Sequence, residues 1–333
     1  MVRVYYDPIF LEHDPGHHPE HPGRLTACWD RLSRSPVLAT CEILPSREAE
    51  ISSITAVHEP AVVERARRTC QIGGYLDADT PVHARSLDVA LRAAGTAIQA
   101  VEDVLAGRAG SAFCLLRPPG HHATRSSSMG FCLFNNLAVA AQHAIDHLKL
   151  ERILIVDWDV HHGNGTQDIF YEDPRVFFLS SHRYPFYPGT GGAGETGSGS
   201  GLGTTLNIPL DANLSAAEIL GRFERGLLEA ARRCRPELVL LSAGFDAHWQ
   251  DPIGGLRLDE EGFRSMARSV LGVAKEYSAG RLVSLLEGGY NVNVLARCVE
   301  EHLVELAADD PTSGADSQVN PGPVRPPRSA FSG

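Results

Sequence analysis

The chain has 333 residues, 43% of them hydrophobic, and a formal net charge of −11. That balance argues against a sequence-independent grip on nucleic acid, which relies on a Lys/Arg surface to neutralise phosphates, and it suits a cationic substrate better. No apolar run approaches a membrane span, the N-terminus lacks a basic segment followed by an apolar one, and the seven cysteines include no C-x-x-C pair. The expectation is a cytoplasmic protein with no membrane partner and no disulfide framework.

Short Val/Ile/Leu-rich runs alternate with longer segments of helical period, the pattern of a parallel sheet covered by helices on both faces. In chain order the pattern predicts a strand at 2–6, helices at 24–34, 59–71 and 84–107, and a strand at 111–116. A helix at 135–148 and strands at 152–157, 175–180 and 204–208 follow, then a helix at 215–234, a strand at 237–242, a helix at 259–276, a strand at 281–286 and a helix at 292–307. Leu87, Leu91, Ala94, Ile98, Val101 and Leu105 recur at three- and four-residue steps, a core-facing stripe. No linker divides residues 1–308, read as one domain. The tail 309–333 is dominated by Pro, Ser, Gly, Asn and Asp, and is expected to be mobile or loosely draped.

Polar clusters stand where the apolar runs stop. Asp157, Asp159 and His161 fall at every second position where Ile153-Leu154-Ile155-Val156 runs out, and a strand's period of two would aim all three the same way. The run Leu238 to Leu241 ends in Gly244-Phe245-Asp246-Ala247-His248. If these two strand ends are neighbours, Asp159, His161 and Asp246 close three sides of a metal and leave the rest open, as catalytic zinc sites do. Two further strand ends carry Arg117-Pro118-Pro119-Gly120-His121-His122 and Glu287-Gly288-Gly289-Tyr290-Asn291, so four converge on one chemistry. In open α/β sheets ligands bind beyond the carboxyl ends of the strands. The Gly-rich stretch from Pro188 to Gly203 lacks the order of a phosphate loop and reads as a substrate-rim loop.

Two carboxylates and one imidazole nearly neutralise a divalent ion, so a bound water is acidified less than by three histidines, where its pKa is about 7. A protein base is then needed, and His121 and His122 are candidates. Asp157 and Asn164 could each hold one of these imidazoles. The aspartate would raise basicity more than the neutral amide, and that difference separates acid from base. Tyr290, freed by two glycines, can donate to a polarised carbonyl and to the oxyanion that follows.

With these motifs in this order, the chain resembles the zinc-dependent histone deacetylase family over roughly residues 2–307. Asn164 in place of aspartate, and Gly-Gly-Tyr without a third glycine, resemble the class II and bacterial branches, which include acetylpolyamine amidohydrolases. The resemblance implies a single arginase-like α/β domain around an eight-stranded parallel sheet. It implies Zn2+ held by Asp159, His161 and Asp246, with His121 and His122 as the histidine pair and Tyr290 as the electrophilic hydroxyl. It also implies K+ near Asp157, Asp159, His161, Ser180 and Ser181, and a second monovalent site at Phe170, Asp173 and Val176. The acyl-lysine tunnel would be lined by Gly130, Phe131 and Tyr187, the last more polar than the usual phenylalanine. Asp79 would stand at the rim, and Arg24 near a product-release cavity. Ile253 occupies the point where polyamine-preferring members carry a glutamate, which argues against that form of selection.

The implied reaction is hydrolysis of the amide of an Nε-acetyl-lysine, or another acyl-lysine, in a protein or peptide. Three alternatives stand beside it: a small-molecule amidohydrolase for acetylpolyamines or related amines, a silent acyl-lysine binder, and a binuclear ureohydrolase. The last would need bridging carboxylates beyond the one Asp246-Ala247-His248 element. A homo-oligomer is left open.

Overall fold

Eight strands lie side by side and all run in one direction in the computed structural model, which describes residues 1–308. The expectation for 309–333 lies outside the described residues. In chain order the elements are β1 (Val2–Tyr5), α1 (Gly23–Leu32), β2 (Cys41–Leu44), α2 (Ile51–Thr55), α3 (Pro60–Ile72), β3 (Gly74–Tyr75), β4 (Pro81–Val82) and α4 (Ser86–Leu105). They continue with β5 (Ser111–Cys114), α5 (Asn136–Asp146), β6 (Ile153–Asp157), α6 (Asn164–Phe170), β7 (Val176–Arg183) and β8 (Thr205–Leu210). The last are α7 (Ala216–Cys234), β9 (Leu238–Ala243), α8 (Glu260–Ser278), β10 (Leu282–Leu286) and α9 (Val292–Ala308). The sheet order is β2-β1-β5-β10-β9-β6-β7-β8, with β3 and β4 a separate antiparallel pair.

Burial follows from this order. Every residue of β5, β6, β9 and β10 is buried, as expected of parallel strands with both faces covered. On one side α4 packs on α5 and against β1, β5 and β10; on the other α1 packs on α9, α9 on α8, and α8 on α7. Local chemistry sets the helix ends. Asn135 accepts from Ala138 N at the start of α5, Ser215 and Glu218 form a capping box on α7, and Asp259 accepts from Gly262 N on α8.

The expected α/β class, parallel sheet and single arginase-like layout agree with the structure. Seven sheet strands were legible from apolar runs, and the eighth is β2. Its four residues are at best half-buried because it is an edge strand paired only to β1, so no continuous apolar run marks it. The short helices α2 and α6 and the hairpin of β3 and β4 also went unread; each is too brief to build a period.

Candidate active site

The strands β5, β10, β9 and β6 are consecutive neighbours, and their carboxyl ends bring the four polar clusters together. One detail of the expected geometry is corrected. The strand β6 stops at Asp157, so the alternation of a strand does not orient Asp159 and His161. Two tight side-chain-to-backbone turns do: Asp159 N donates to Asp157 Oδ1 at 3.1 Å, and His161 N donates to Asp159 Oδ1 at 2.9 Å. Trp158, between them, turns away to pack edge-on against Phe223 and Phe245.

Asp159, His161 and Asp246 are buried, and one ligand atom from each lies within 4.8 Å of the other two. His161 Nδ1 stands 3.1 Å from both Asp159 Oδ1 and Asp246 Oδ2. Asp246 is fixed by accepting from Val160 N at 2.8 Å, and Asp159 by accepting from Gly288 N at 2.8 Å. A Cβ on Gly288 would come within 2.2 Å of Asp246 Oδ2 and 2.5 Å of Asp159 Oδ2, so only glycine lets the β10 loop approach the pair. Burial and the charge of Asp159 push Asp246 up to about 7. Burial opposes ionisation of Asp159 as well, but His121 and His161 hold it well below the usual carboxylate range. Two buried carboxylates and an imidazole, compensated only by histidines among the described residues, form a donor set that fits a divalent ion of mixed oxygen and nitrogen preference.

The histidine pair lies against this cluster. The rings of His121 and His122 are 4.0 Å apart, and His121 Nε2 is 3.9 Å from Asp159 Oδ1. His121 Nδ1–H donates to Asp157 Oδ2 at 3.0 Å, and His122 Nδ1–H donates to Asn164 Oδ1 at 2.7 Å. Burial works against charge on both. At His121 the carboxylates of Asp157 and Asp159 overcome it and push the imidazole up to about 10. At His122 burial, with His121 and His161 close by, pushes the imidazole well below its ordinary value. The two partners thus bias the pair in opposite directions, towards charge at His121 and towards neutrality at His122.

Tyr290 is fixed by its amide, which donates to Asp251 Oδ2 at 2.7 Å, and by the Arg24 guanidinium, 5.1 Å from its ring centroid. Burial and Asp246 raise its phenol well above the usual value, so it remains a donor. Phe131 packs edge-on to Tyr290 at 5.9 Å, and Tyr187, 37% exposed, packs edge-on to His122 at 5.1 Å. Gly130 and Phe131 both have positive φ, 57° and 70°, and a Cβ on Gly130 would strike His122 Cδ2 at 2.5 Å. Asp79 is half-buried, with Asp77 beside its carboxylate and its carbonyl accepting from His18 Nε2 at 3.2 Å. Ile253 is half-buried on the loop after β9, its amide donating to Asp251 Oδ1 at 2.9 Å. Arg24 is buried, its Nε bonded to Gly289 O at 2.7 Å, its Nη2 to Glu287 O at 2.5 Å and its Nη1 to Glu20 Oε1 at 3.1 Å.

The residues implied for monovalent ions lie at the end of β6, along β7 and in the segment that joins them. Ser180 is the register partner of Asp157, and Ser181 Oγ is buried with no hydrogen-bond partner. Phe170, Asp173 and Val176 adjoin: Asp173 N donates to Phe170 O, Val176 N donates to Asp173 O, and the Asp173 carboxylate pairs with Arg175. Three contributors were not read from the sequence. Phe186 stacks on His161 at 5.2 Å, beneath the Arg183 guanidinium at 4.2 Å. Glu20, inside the dense run His17-His18-Pro19-Glu20-His21, binds both Arg24 and Arg117. Glu287 was visible only as the first residue of its motif.

Fold and site together define the class: an α/β protein whose polar machinery, with a buried metal-competent cluster, sits at the ends of four central strands. A family model described as "Histone deacetylase domain" matches residues 18–306. The crystal structure of the HDA15 HD domain aligns with a TM-score of 0.88 at 35% identity, covering 92% of this chain and 88% of that one. "Histone deacetylase 14, chloroplastic" of Arabidopsis thaliana is 37% identical over 325 residues, which span 92% of this chain and 77% of the plant protein. A "Probable deacetylase" of Archaeoglobus fulgidus is 38% identical over 295 residues, 88% of this chain and 82% of its own. The chain belongs to the histone deacetylase family. No helix among the described residues is long and apolar enough to cross a membrane.

Proposed function

We propose that the protein is a zinc-dependent deacylase that hydrolyses the amide of Nε-acetyl-lysine in proteins or peptides and releases acetate. The observation that carries this reading is the convergence of Asp159, His161 and Asp246 beside a histidine pair whose two members have different partners. A zinc ion held by those three residues would act as a Lewis acid on the acyl carbonyl and acidify the attacking water. His122, neutral and oriented by Asn164, takes the proton from water through Nε2. His121, kept cationic by Asp157, stabilises the negative charge that develops and supports proton delivery to the departing amine. The Tyr290 hydroxyl donates to the oxyanion. Phe131 and Tyr187 flank the aliphatic stem, whose burial between rings is favourable, and Asp79 accepts from the substrate at the rim.

The unpartnered hydroxyl of Ser181 supports potassium near Asp157, Ser180 and Ser181, where β6 and β7 lie side by side. The second monovalent site, at Phe170, Asp173 and Val176, rests on the resemblance alone. We take residues 1–308 as the catalytic domain and the cytoplasm as its compartment.

The test is a panel of acetyl-lysine peptides, longer acyl-lysine peptides, acetylputrescine and acetylspermidine, each run with and without chelator. Acetate release from the peptides that a chelator abolishes and zinc restores is expected. Turnover confined to the polyamines would replace the protein substrate with a small amine, and no turnover of any member would overturn the deacylase reading.

A further inference from the structure

Glu287 closes β10 and takes no part in the chemistry set out above. Its side chain is 1% exposed. Oε2 accepts from two consecutive amides, Gly120 N at 2.7 Å and His121 N at 3.2 Å, whereas Oε1 is buried with no hydrogen-bond partner. Its own carbonyl accepts from Arg24, and its amide donates to Ala243 O at 3.1 Å. One residue therefore ties together the ends of β5, β9 and β10.

A carboxyl group in this position is costly. Burial pushes it up to about 7 in spite of His121 and the Gly120 amide. An apolar side chain would avoid both that cost and the orphaned oxygen, so packing alone does not account for a glutamate here. What the glutamate supplies is an acceptor for the turn that carries the histidine pair. That turn is tightly seated, since a Cβ on Gly120 would lie 2.6 Å from Asn136 N.

We propose that Glu287 is a positioning residue for the histidine pair: its carboxylate anchors the Gly120 and His121 amides and so sets where both imidazoles stand against the Asp159, His161 and Asp246 cluster. The proposal rests on the acid–base reading of that pair and extends it to a residue that touches neither substrate nor metal.

Two readouts on the zinc-loaded protein test it. Glu287→Gln keeps an acceptor oxygen without the charge, and Glu287→Leu removes both. In Glu287→Leu, amide hydrogen exchange at Gly120 and His121 is expected to quicken about tenfold, and kcat to fall about 10²-fold, as misplacement of reacting groups does. The KM and zinc content should stay unchanged, and Glu287→Gln should remain within about threefold of the unaltered protein in both readouts. Unchanged exchange in Glu287→Leu, equal damage in Glu287→Gln, or a raised KM with intact kcat would overturn the proposal. Should Glu287→Leu not fold, Glu287→Asp replaces it, since the shorter side chain withdraws the oxygen; full kcat there overturns the proposal too. Exchange needs no substrate, so if the unaltered protein proves inert to every acyl compound, the anchoring is still decided by that measurement alone.

Discussion

The middles and the ends of the four central strands are equally buried and chemically opposite. In the middles Phe113, Leu154, Ile155, Leu240, Leu241 and Val283 are fully buried, apolar and joined by backbone ladders. A few residues further on, Arg117, His121, Asp157, Asp159, Asp246 and Glu287 are just as enclosed, yet each is charged or ionisable. Burial does not tell the regions apart; partnering does. An apolar side chain in the middle stabilises by leaving water, whereas a carboxylate at an end is tolerable only through specific hydrogen bonds and counter-charges. The strand middles therefore hold the fold, and the ends draw on that stability to hold a reactive arrangement.

Removing a single donor from the strand ends should break this division most severely. Asp246→Ala is expected to reduce zinc content, measured by elemental analysis, and to take acetate release to background while circular dichroism keeps the α/β signature. Replacing His122 by alanine removes the neutral base, and kcat should fall by about 10²–10⁴ with zinc retained. Tyr290→Phe takes away one oxyanion donor; a fall in kcat of about 10²–10³ with little change in KM is expected from steady-state assays, and full turnover would end its assigned role.

The buried Glu20 offers a pH test of the same contrast. Burial opposes its charge, but Arg117 and Arg24 hold the carboxyl down at about 2, against an ordinary 4.5. A depressed carboxylate stabilises the folded state above its unfolded pKa and loses that contribution as pH falls through the folded value. Stability should thus drop between pH 4.5 and 2 by up to about 3 kcal/mol from this group, and urea midpoints of Glu20→Gln should decline less steeply over that window. The smallest effect belongs to the strand middles. Ile155→Val should lower stability by about 1 kcal/mol in a urea titration and leave kcat of the folded enzyme unchanged.

Much of this was legible in one dimension because it depends on local pattern. Unbroken apolar runs such as Leu154 to Val156 mark strands covered on both faces, and the polar residues that end them announce a site beyond the carboxyl edge of the sheet. Which partner meets which ring was decided only by the fold, but that Asp157 and Asn164 would each hold one histidine of the pair could be anticipated from residue chemistry. The edge strand β2 could not, because half of its environment is solvent, and neither could Phe186, whose role depends on meeting His161 across a loop.

The sequence by itself determined the alternation of strand and helix, the polar residues at each strand end and the acidic, disulfide-poor character of the chain, since all of these are properties of neighbours along the backbone. Tertiary structure decided which ends stand side by side. It brought Asp246 to Asp159 and His161, and brought Glu20 and Glu287 to the loops they brace, because contacts between residues far apart in the chain exist only once the sheet order is fixed.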